Sequence, residues 1–272
     1  MLKTLRATRY VMPLREGGSL PAIVEADDDG LYVVKFRGAG QGERALIAEL
    51  VSGEIGRALG LLVPEIVLMD VDPRLASAEP DFEIQDLLKA SGGINLALDF
   101  LPGALPFDTR LLDRPKSKIN PSAKVVPDSA LASEIVWFDA YITNVDRTPR
   151  NTNLLLWHRR IWLIDHGASL YFHHTWKDYQ IRAVSGFPQI KEHVLLPYAT
   201  DLAGADERLT PRLTPAVLEA IVGEIPEEWL DTSPDFQSRE QQRDAYLIYL
   251  LERLRAPHRF VEEAQHAFAE LV

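Results

Sequence analysis

The sequence contains no cysteine, and this absence removes several kinds of chemistry. Disulfide bonds, thiolate metal sites and thiol nucleophiles are all excluded for its 272 residues. Long hydrophobic runs are missing as well, since no stretch approaches the roughly 18 apolar residues of a membrane-spanning helix. The first six residues also lack the apolar segment of a signal peptide. We therefore expect a soluble, cytoplasmic protein.

Basic residues are too few to give the chain an overall positive charge. The sequence has 29 Lys and Arg against 40 Asp and Glu, for a formal net charge of −11. Such a chain has no overall basic field for nucleic acid or an anionic membrane, although a local basic pocket remains possible. We therefore expect no direct binding to nucleic acid and no association with membranes.

The first hundred residues read mainly as strands around one helix. Two β-branched runs, 20–26 and 31–36, flank an acidic turn that ends in glycine, which is typical of a hairpin. Apolar residues at steps of three and four over 46–58 predict a helix, and Gly60 ends it. Further expected elements are strands at 63–71 and 94–101 and a short polar helix at 81–89.

The composition changes after residue 101. Residues 102–128 contain five prolines and a short basic run, which predicts a connector. Beyond it we expect mainly helices, so we predict a β-rich unit at 1–101 and a helical unit at 102–272. A cleft between two such units is a usual place for a small-molecule site. The expected elements of the second unit are a helix over 131–142, strands at 154–157 and 161–164, a helix starting at Thr214-Pro215, and two helices divided at Pro257.

A polar loop at 144–153 carries the strongest chemical signal. It contains Asp146 and Asn151, and Asp165 follows at the end of a strand. Two carboxylates with an amide oxygen suit Mg²⁺, which usually shares its ligands with substrate phosphates. The five-residue step from Asp146 to Asn151 is that of the kinase catalytic loop, where the Asp receives a hydroxyl proton and the Asn holds Mg²⁺. Asn153, directly before a strand, is the alternative metal ligand.

A second signal lies upstream on a strand. Val33-Val34-Lys35 resembles the Val-Ala-Ile-Lys signature of kinases. The following helix offers Glu49 as the partner of Lys35. An ammonium paired with a carboxylate in this way holds the α- and β-phosphates of ATP in kinases. The spacing thus predicts a nucleotide site.

Together these segments resemble the HipA-like kinases, a bacterial branch of the protein kinase and phosphatidylinositol kinase fold. Residues 49–65 carry the resemblance with an early Glu, an Ala-Leu-Gly-Leu run and a Val-Pro pair, together with the loop at 144–151 and the strand at 163–165. The resemblance implies an α+β, two-lobed protein-kinase-like fold, with a strand-rich N-lobe, a helical C-lobe and an ATP cleft between them. It implies ATP and Mg²⁺ as cofactors. The implied roles are Asp146 as catalytic aspartate, Asn151 and Asp165 as Mg²⁺ ligands, and Lys35 with Glu49 at the ATP.

Some parts of the site match the kinase pattern less closely. No Gly-x-Gly-x-x-Gly loop precedes Lys35, and residues 15–21 are the candidate for a phosphate-binding nest. Residues 99–102 are either a hinge that holds adenine or an ordinary strand end. Arg150 is the candidate cation for the γ-phosphate, and His166 replaces the Phe of Asp-Phe-Gly. The further residues assigned to ATP are Gly17, Gly18, Ser19, Asp99 and Leu101.

The leading hypothesis is an ATP- and Mg²⁺-dependent phosphotransferase. By resemblance its acceptor is a protein Ser or Thr, and from the residues alone a small-molecule alcohol is equally possible. The alternatives are a nucleotidyltransferase on the same scaffold and a catalytically silent ATP-binding module. The chain is short beside full-length HipA toxins, so we expect a stand-alone kinase core, and an antitoxin-like partner is not readable from the residues.

Overall fold

Five strands form a closed barrel in the first part of the chain. The computed structural model describes residues 1–14, 20–40, 42–108, 127–230 and 235–271. Neighbouring strands in the barrel follow the order β1-β2-β3-β5-β4, with only β1 and β4 running parallel. The bounds are β1 Thr4–Pro13, β2 Ala22–Ala26, β3 Leu31–Lys35, β4 Ile66–Val71 and β5 Gly93–Asp99.

The alternation of side chains along β3 determines which of them point out of the barrel. Tyr32 and Val34 are buried in the hydrophobic core inside the barrel. Successive side chains of a strand point to opposite faces, so Val33 and Lys35 lie on the outer face. The β2–β3 hairpin fixes this register through a turn in which the Gly30 N–H donates to Asp28 Oδ1 at 3.0 Å.

The remaining elements are a small sheet and a set of helices. The sheet has the order β6-β7-β8, with all neighbours antiparallel. Its strands are β6 Leu105–Pro106, β7 Leu154–Trp157 and β8 Arg160–Leu163. The helices are α1 Glu43–Ala58, α2 Phe82–Ala90, α3 Ser129–Tyr141, α4 Tyr179–Ala183, α5 Leu202–Leu209, α6 Pro215–Gly223, α7 Arg239–Arg253 and α8 Arg259–Ala269.

Helix α1 belongs to the same hydrophobic core as the C-terminal helices. Its buried residues Leu50 and Ile55 share one cluster with Phe138 of α3 and Leu218 of α6, whereas the interior of the barrel forms a separate cluster. The core therefore runs across residue 101, and the predicted division of the chain there stays a prediction.

A short 3-10 turn at Glu227–Trp229 joins the helical part to the barrel. Glu228 Oε1 accepts hydrogen bonds from Arg37 Nη1 at 2.8 Å and from the Ile94 N–H at 3.1 Å. The indole N–H of Trp229 donates to the Ile94 carbonyl at 2.9 Å. These three bonds connect the turn to the segments around β3 and β5.

Most of the predicted elements are confirmed, and two strands were missed. The hairpin, α1, α3, the β7–β8 pair, the helix start at Thr214 and the break at Pro257 all agree with the structure. Strand β1 was missed because most of its residues are exposed, so it lacks the alternation of a half-buried strand. Strand β6 was missed because it has two residues inside the proline-rich segment, of which 109–126 lie outside the described residues.

None of the helices in the described part of the chain combines the length and the apolar content needed to cross a lipid bilayer.

The shared core predicts a large stability loss when α1 is truncated. Ile55 is completely buried in that core, so Ile55→Ala should lower the free energy of unfolding by about 2–5 kcal/mol, through lost burial and a cavity. Ile181→Ala is the control, because Ile181 is 67% exposed, and it should change stability by less than about 0.5 kcal/mol. Urea unfolding measures both. A similar small effect at both positions would contradict a core shared by α1 and the C-terminal helices.

Candidate active site

Lys35 forms the centre of an ion cluster with Glu49 and Asp165. It ends β3, and its Nζ lies 2.6 Å from Glu49 Oε2 on α1 and 2.5 Å from Asp165 Oδ1 after β8. The Lys35 side chain is 14% exposed, and that of Glu49 is fully buried. Three segments that are distant in sequence thus meet at one ammonium group.

Attraction within this cluster outweighs the cost of burying its charges. Burial alone lowers the pKa of the Lys35 ammonium, but Glu49 and Asp165 raise that pKa above its ordinary value. Burial alone raises the pKa of the Glu49 carboxyl, but Lys35 and His166 reverse this and lower the pKa to about 2. Lys35 and Glu49 are therefore both charged near neutral pH.

His166 supplies Glu49 with a second polar neighbour. Its Nδ1 lies 3.4 Å from Glu49 Oε1, and the ring is completely buried. The same ring packs edge-on against Phe138 with 5.7 Å between centroids. Because imidazole is both aromatic and polar, His166 keeps a ring contact at this position and also faces the carboxylate.

The polar loop collects two amides around one carboxylate. Asp146 Oδ2 accepts hydrogen bonds from Asn151 Nδ2 at 2.7 Å and from Asn153 Nδ2 at 3.2 Å. Since both amide nitrogens face Asp146, both amide oxygens are directed elsewhere. The structure thus places Asn151 and Asn153 equivalently toward Asp146, and the choice between them as metal ligand stays open.

The structure has a cavity of about 780 Å³, and some of the predicted site residues line it while others do not. It is lined by parts of the barrel and of the β6–β8 sheet. Three of the predicted residues do not line it: Glu49, Asp146 and the exposed Arg150. Gly17, Gly18 and Ser19 lie outside the described residues. The predicted site residues that line it are Lys35, Asp99, Leu101, Asn151, Asp165 and the alternative Asn153.

One buried ion pair of the loop was missed by the sequence analysis. Arg147 Nε donates to Asp139 Oδ2 at 2.5 Å, and both side chains are buried. Burial alone raises the pKa of the Asp139 carboxyl, but Arg147 and His193 hold it far below its ordinary value. A signal was present, because Asp139 interrupts the apolar run over 135–141 of helix α3, shortly before the loop.

Comparisons with known proteins identify the family of this chain. The family model of the HipA-like kinases matches residues 8–262. The chain belongs to the HipA-like kinase family. It is therefore a phosphotransferase, as the resemblance in the sequence predicted. No curated protein matches the sequence significantly.

Solved kinase structures resemble this HipA-like kinase. The proinflammatory kinase CtkA of Helicobacter pylori is 15% identical, with a TM-score of 0.56, and the match covers 100% of this chain and 99% of CtkA. This likeness shows a kinase-like fold, which agrees with the predicted α+β class. The Golgi casein kinase is 14% identical with a TM-score of 0.48, covering 98% of this chain and 72% of that one. The Mn/ADP-bound structure of the Golgi casein kinase is 13% identical with a TM-score of 0.44, and the match covers 95% of this chain and 74% of that one.

The residues of this HipA-like kinase fit a hard divalent cation. The Asp165 side chain is 47% exposed, and it lines the cavity together with the amide groups of Asn151 and Asn153. Carboxylate and amide oxygens are the ligands that Mg²⁺ takes in proteins. Within the described residues no group of three or more His, Cys, Asp or Glu is placed to hold a metal ion, so any cation here must share its ligands with amides, water or substrate.

Because the Glu49 carboxylate is buried and ionised, we expect part of the free energy of unfolding to be lost at acid pH. Its pKa is about 2 in the folded chain against an ordinary 4.5, so the unfolded chain binds more protons as the pH falls. The contribution is complete above pH 4.5 and is lost towards pH 2. Between pH 5 and pH 3 the wild type should lose on the order of 2 kcal/mol more than Glu49→Gln. Urea unfolding at each pH measures the difference, and parallel curves would show that Glu49 is not held ionised.

Proposed function

We propose that the cavity binds ATP and that the protein transfers the γ-phosphoryl group to a hydroxyl acceptor with the help of Mg²⁺. The observation that carries this proposal is the Lys35 ammonium at the cavity wall, paired with both Glu49 and Asp165. An ammonium of this kind is the expected partner of the α- and β-phosphates. If the Lys35 ammonium bound phosphate in place of Asp165, the Asp165 carboxylate would become available to a cation.

The proposed arrangement has two lobes with the nucleotide between them. The barrel and its neighbours, residues 1–101, form the proposed N-lobe, and residues 102–272 form the proposed C-lobe. Asp99 and Leu101 lie on the cavity wall where the chain leaves β5, which favours their backbone as the edge that meets adenine. The apolar lining by Val33, Leu98 and Leu155 suits a flat base.

Asp146 is the proposed acceptor of the hydroxyl proton. As the acceptor oxygen bonds to the γ-phosphorus, the bond from that phosphorus to the bridging oxygen of ADP breaks, and the hydroxyl proton moves to a carboxylate oxygen of Asp146. Its Oδ2 is oriented by Asn151 and Asn153, and positioning of this kind supplies most of the catalysis in phosphoryl transfer.

Charge on the phosphates requires cations in addition to Lys35. Mg²⁺, bound by Asp165 and by Asn151 or Asn153, would neutralise the phosphate oxygens. Arg150 is exposed in the same loop, which leaves its guanidinium accessible to a γ-phosphate or to an anionic acceptor. The kinase family supports a hydroxyl acceptor, and we propose a protein Ser or Thr, with a small-molecule alcohol as the other outcome of the test.

Replacing the proposed base should separate binding from transfer. Asp146→Asn should reduce the turnover number at least about 100-fold, because the amide cannot take up the proton, while ATP affinity stays within about threefold. Asp29→Asn is the control, since Asp29 is an exposed residue of the β2–β3 turn, and it should keep full activity. ADP release measures turnover, and calorimetry with Mg²⁺ and a non-hydrolysable ATP analogue measures affinity.

The nature of the product decides among the functions. Mass spectrometry of acceptor proteins and small alcohols incubated with Mg-ATP should find an added phosphoryl group. An added AMP would instead make the protein a nucleotidyltransferase. ATP binding with no ADP release for any acceptor would make it a silent binding module, and full activity in Asp146→Asn would refute the role of Asp146.

A further inference from the structure

The buried guanidinium of Arg147 contacts the backbone on both sides of the candidate metal site. Its Nε and Nη2 donate to the two oxygens of Asp139, at 2.5 Å and 3.4 Å. Its Nη1 donates to the carbonyl of Asn153 and, at 3.4 Å, to that of Ile164. One side chain therefore connects α3 to two segments that carry candidate ligands.

The two carbonyls belong to, or directly precede, residues with a left-handed backbone conformation. Asn153 and Asp165 have φ values of 48° and 58°, in the left-handed region. This conformation is uncommon for residues other than glycine, and among those it is adopted most readily by Asn and Asp. The Ile164 N–H also donates to the Asn153 carbonyl, at 3.1 Å. Arg147 thus supports the junction that sets the direction of both side chains.

A second set of hydrogen bonds links the Asp139 carboxylate to Asp146, the proposed base. Asp139 accepts hydrogen bonds from His193 Nε2 at 2.9 Å and from Asn144 Nδ2 at 2.9 Å. Asn144 Oδ1 in turn accepts the N–H of Asp146 at 3.1 Å. Asp139 therefore fixes Arg147 on one side and the backbone of Asp146 on the other.

We propose that Arg147, held by Asp139, is a positioning residue that sets the metal-binding geometry of Asp165 and of the Asn153 segment. The proposal rests on the proposed function, because it assigns these groups to Mg-ATP. Arg147 touches neither substrate nor metal in this role. It acts by fixing two backbone carbonyls, and through them the left-handed residues whose side chains face the cavity.

Only a guanidinium meets all of these acceptors at once. Arginine offers five donors in a rigid planar fork, whereas lysine is a point charge with three rotatable donors. Arg147→Lys keeps the charge beside Asp139, so it avoids an unpaired buried carboxylate, but it cannot span Asp139 and both carbonyls. The substitution is therefore a test of geometry at constant charge.

The test measures how much Mg²⁺ strengthens ATP binding. Affinity for a fluorescent ATP analogue is titrated with and without Mg²⁺, and the ratio of the two is the coupling. In Arg147→Lys we expect the coupling to fall about tenfold, as for other residues that orient metal ligands, with metal-free affinity within about twofold. Unchanged coupling in a folded Arg147→Lys protein would overturn the proposal.

Arg253 provides a matched control. Its side chain is buried like that of Arg147, and Arg253→Lys should cost stability, measured by urea unfolding, without changing the coupling. An equal loss of coupling in both variants would show a merely structural effect and overturn the proposal. Among the described residues, the Arg253 guanidinium donates to main-chain carbonyls outside the two candidate ligand segments, those of Ala140, Tyr141, Ala183 and Ser185.

Two further substitutions show which ligand is affected and provide a test if Arg147→Lys does not fold. In an Asp165→Asn background, Arg147→Lys should cause less than about a twofold further loss of coupling, because the carboxylate that it positions is already lost and only the Asn153 segment remains to be affected. If Arg147→Lys does not fold, His193→Gln loosens Asp139 while keeping the guanidinium, and it should lower the coupling about threefold; no change would overturn the proposal. Wild-type protein without any coupling would instead refute the proposed function itself.

Discussion

The position of one ammonium between two carboxylates constrains the whole site. Lys35 is nearly buried, and a lysine charge left unpaired at such a place costs several kcal/mol. Its partners come from α1 and from the segment after β8, 14 and 130 residues away in sequence. The pairing is therefore satisfied only when the barrel, α1 and the small sheet are all in place. The site therefore exists only in the folded chain.

Two fully buried carboxylates are each linked to Asp165 through a basic side chain. Glu49 on α1 acts through the side chain of Lys35, and Asp139 on α3 acts through Arg147 and the backbone. Each buried acid is matched by one buried base, so neither contributes net charge to the interior. The result is a half-exposed Asp165 whose side chain and main chain are both restrained before any ligand arrives.

Local spacing made much of the site predictable from the sequence. The step from Asp146 to Asn151 and the strand end at Asp165 are short-range patterns, and Lys35 with Glu49 follows the strand-then-helix order of kinases. Arg147 could not be assigned in this way, because its role depends on Asp139 and on carbonyls that only the folded chain brings near it. Strand β1 is held by pairing with β2 and β4 rather than by a buried face of its own, so periodicity did not reveal it.

The turn at Glu227–Trp229 restricts the motions by which a ligand could bind and be released. Swinging the barrel away from the helices would break both bonds to Glu228 and the indole bond to Ile94. It would also expose the apolar core that α1 shares with α3 and α6. Hinge opening of the kind seen in loosely joined enzymes is thus disfavoured here. A ligand would then have to enter and leave the cavity, which Met12, Leu14 and Pro21 also line, without the barrel separating from the helices.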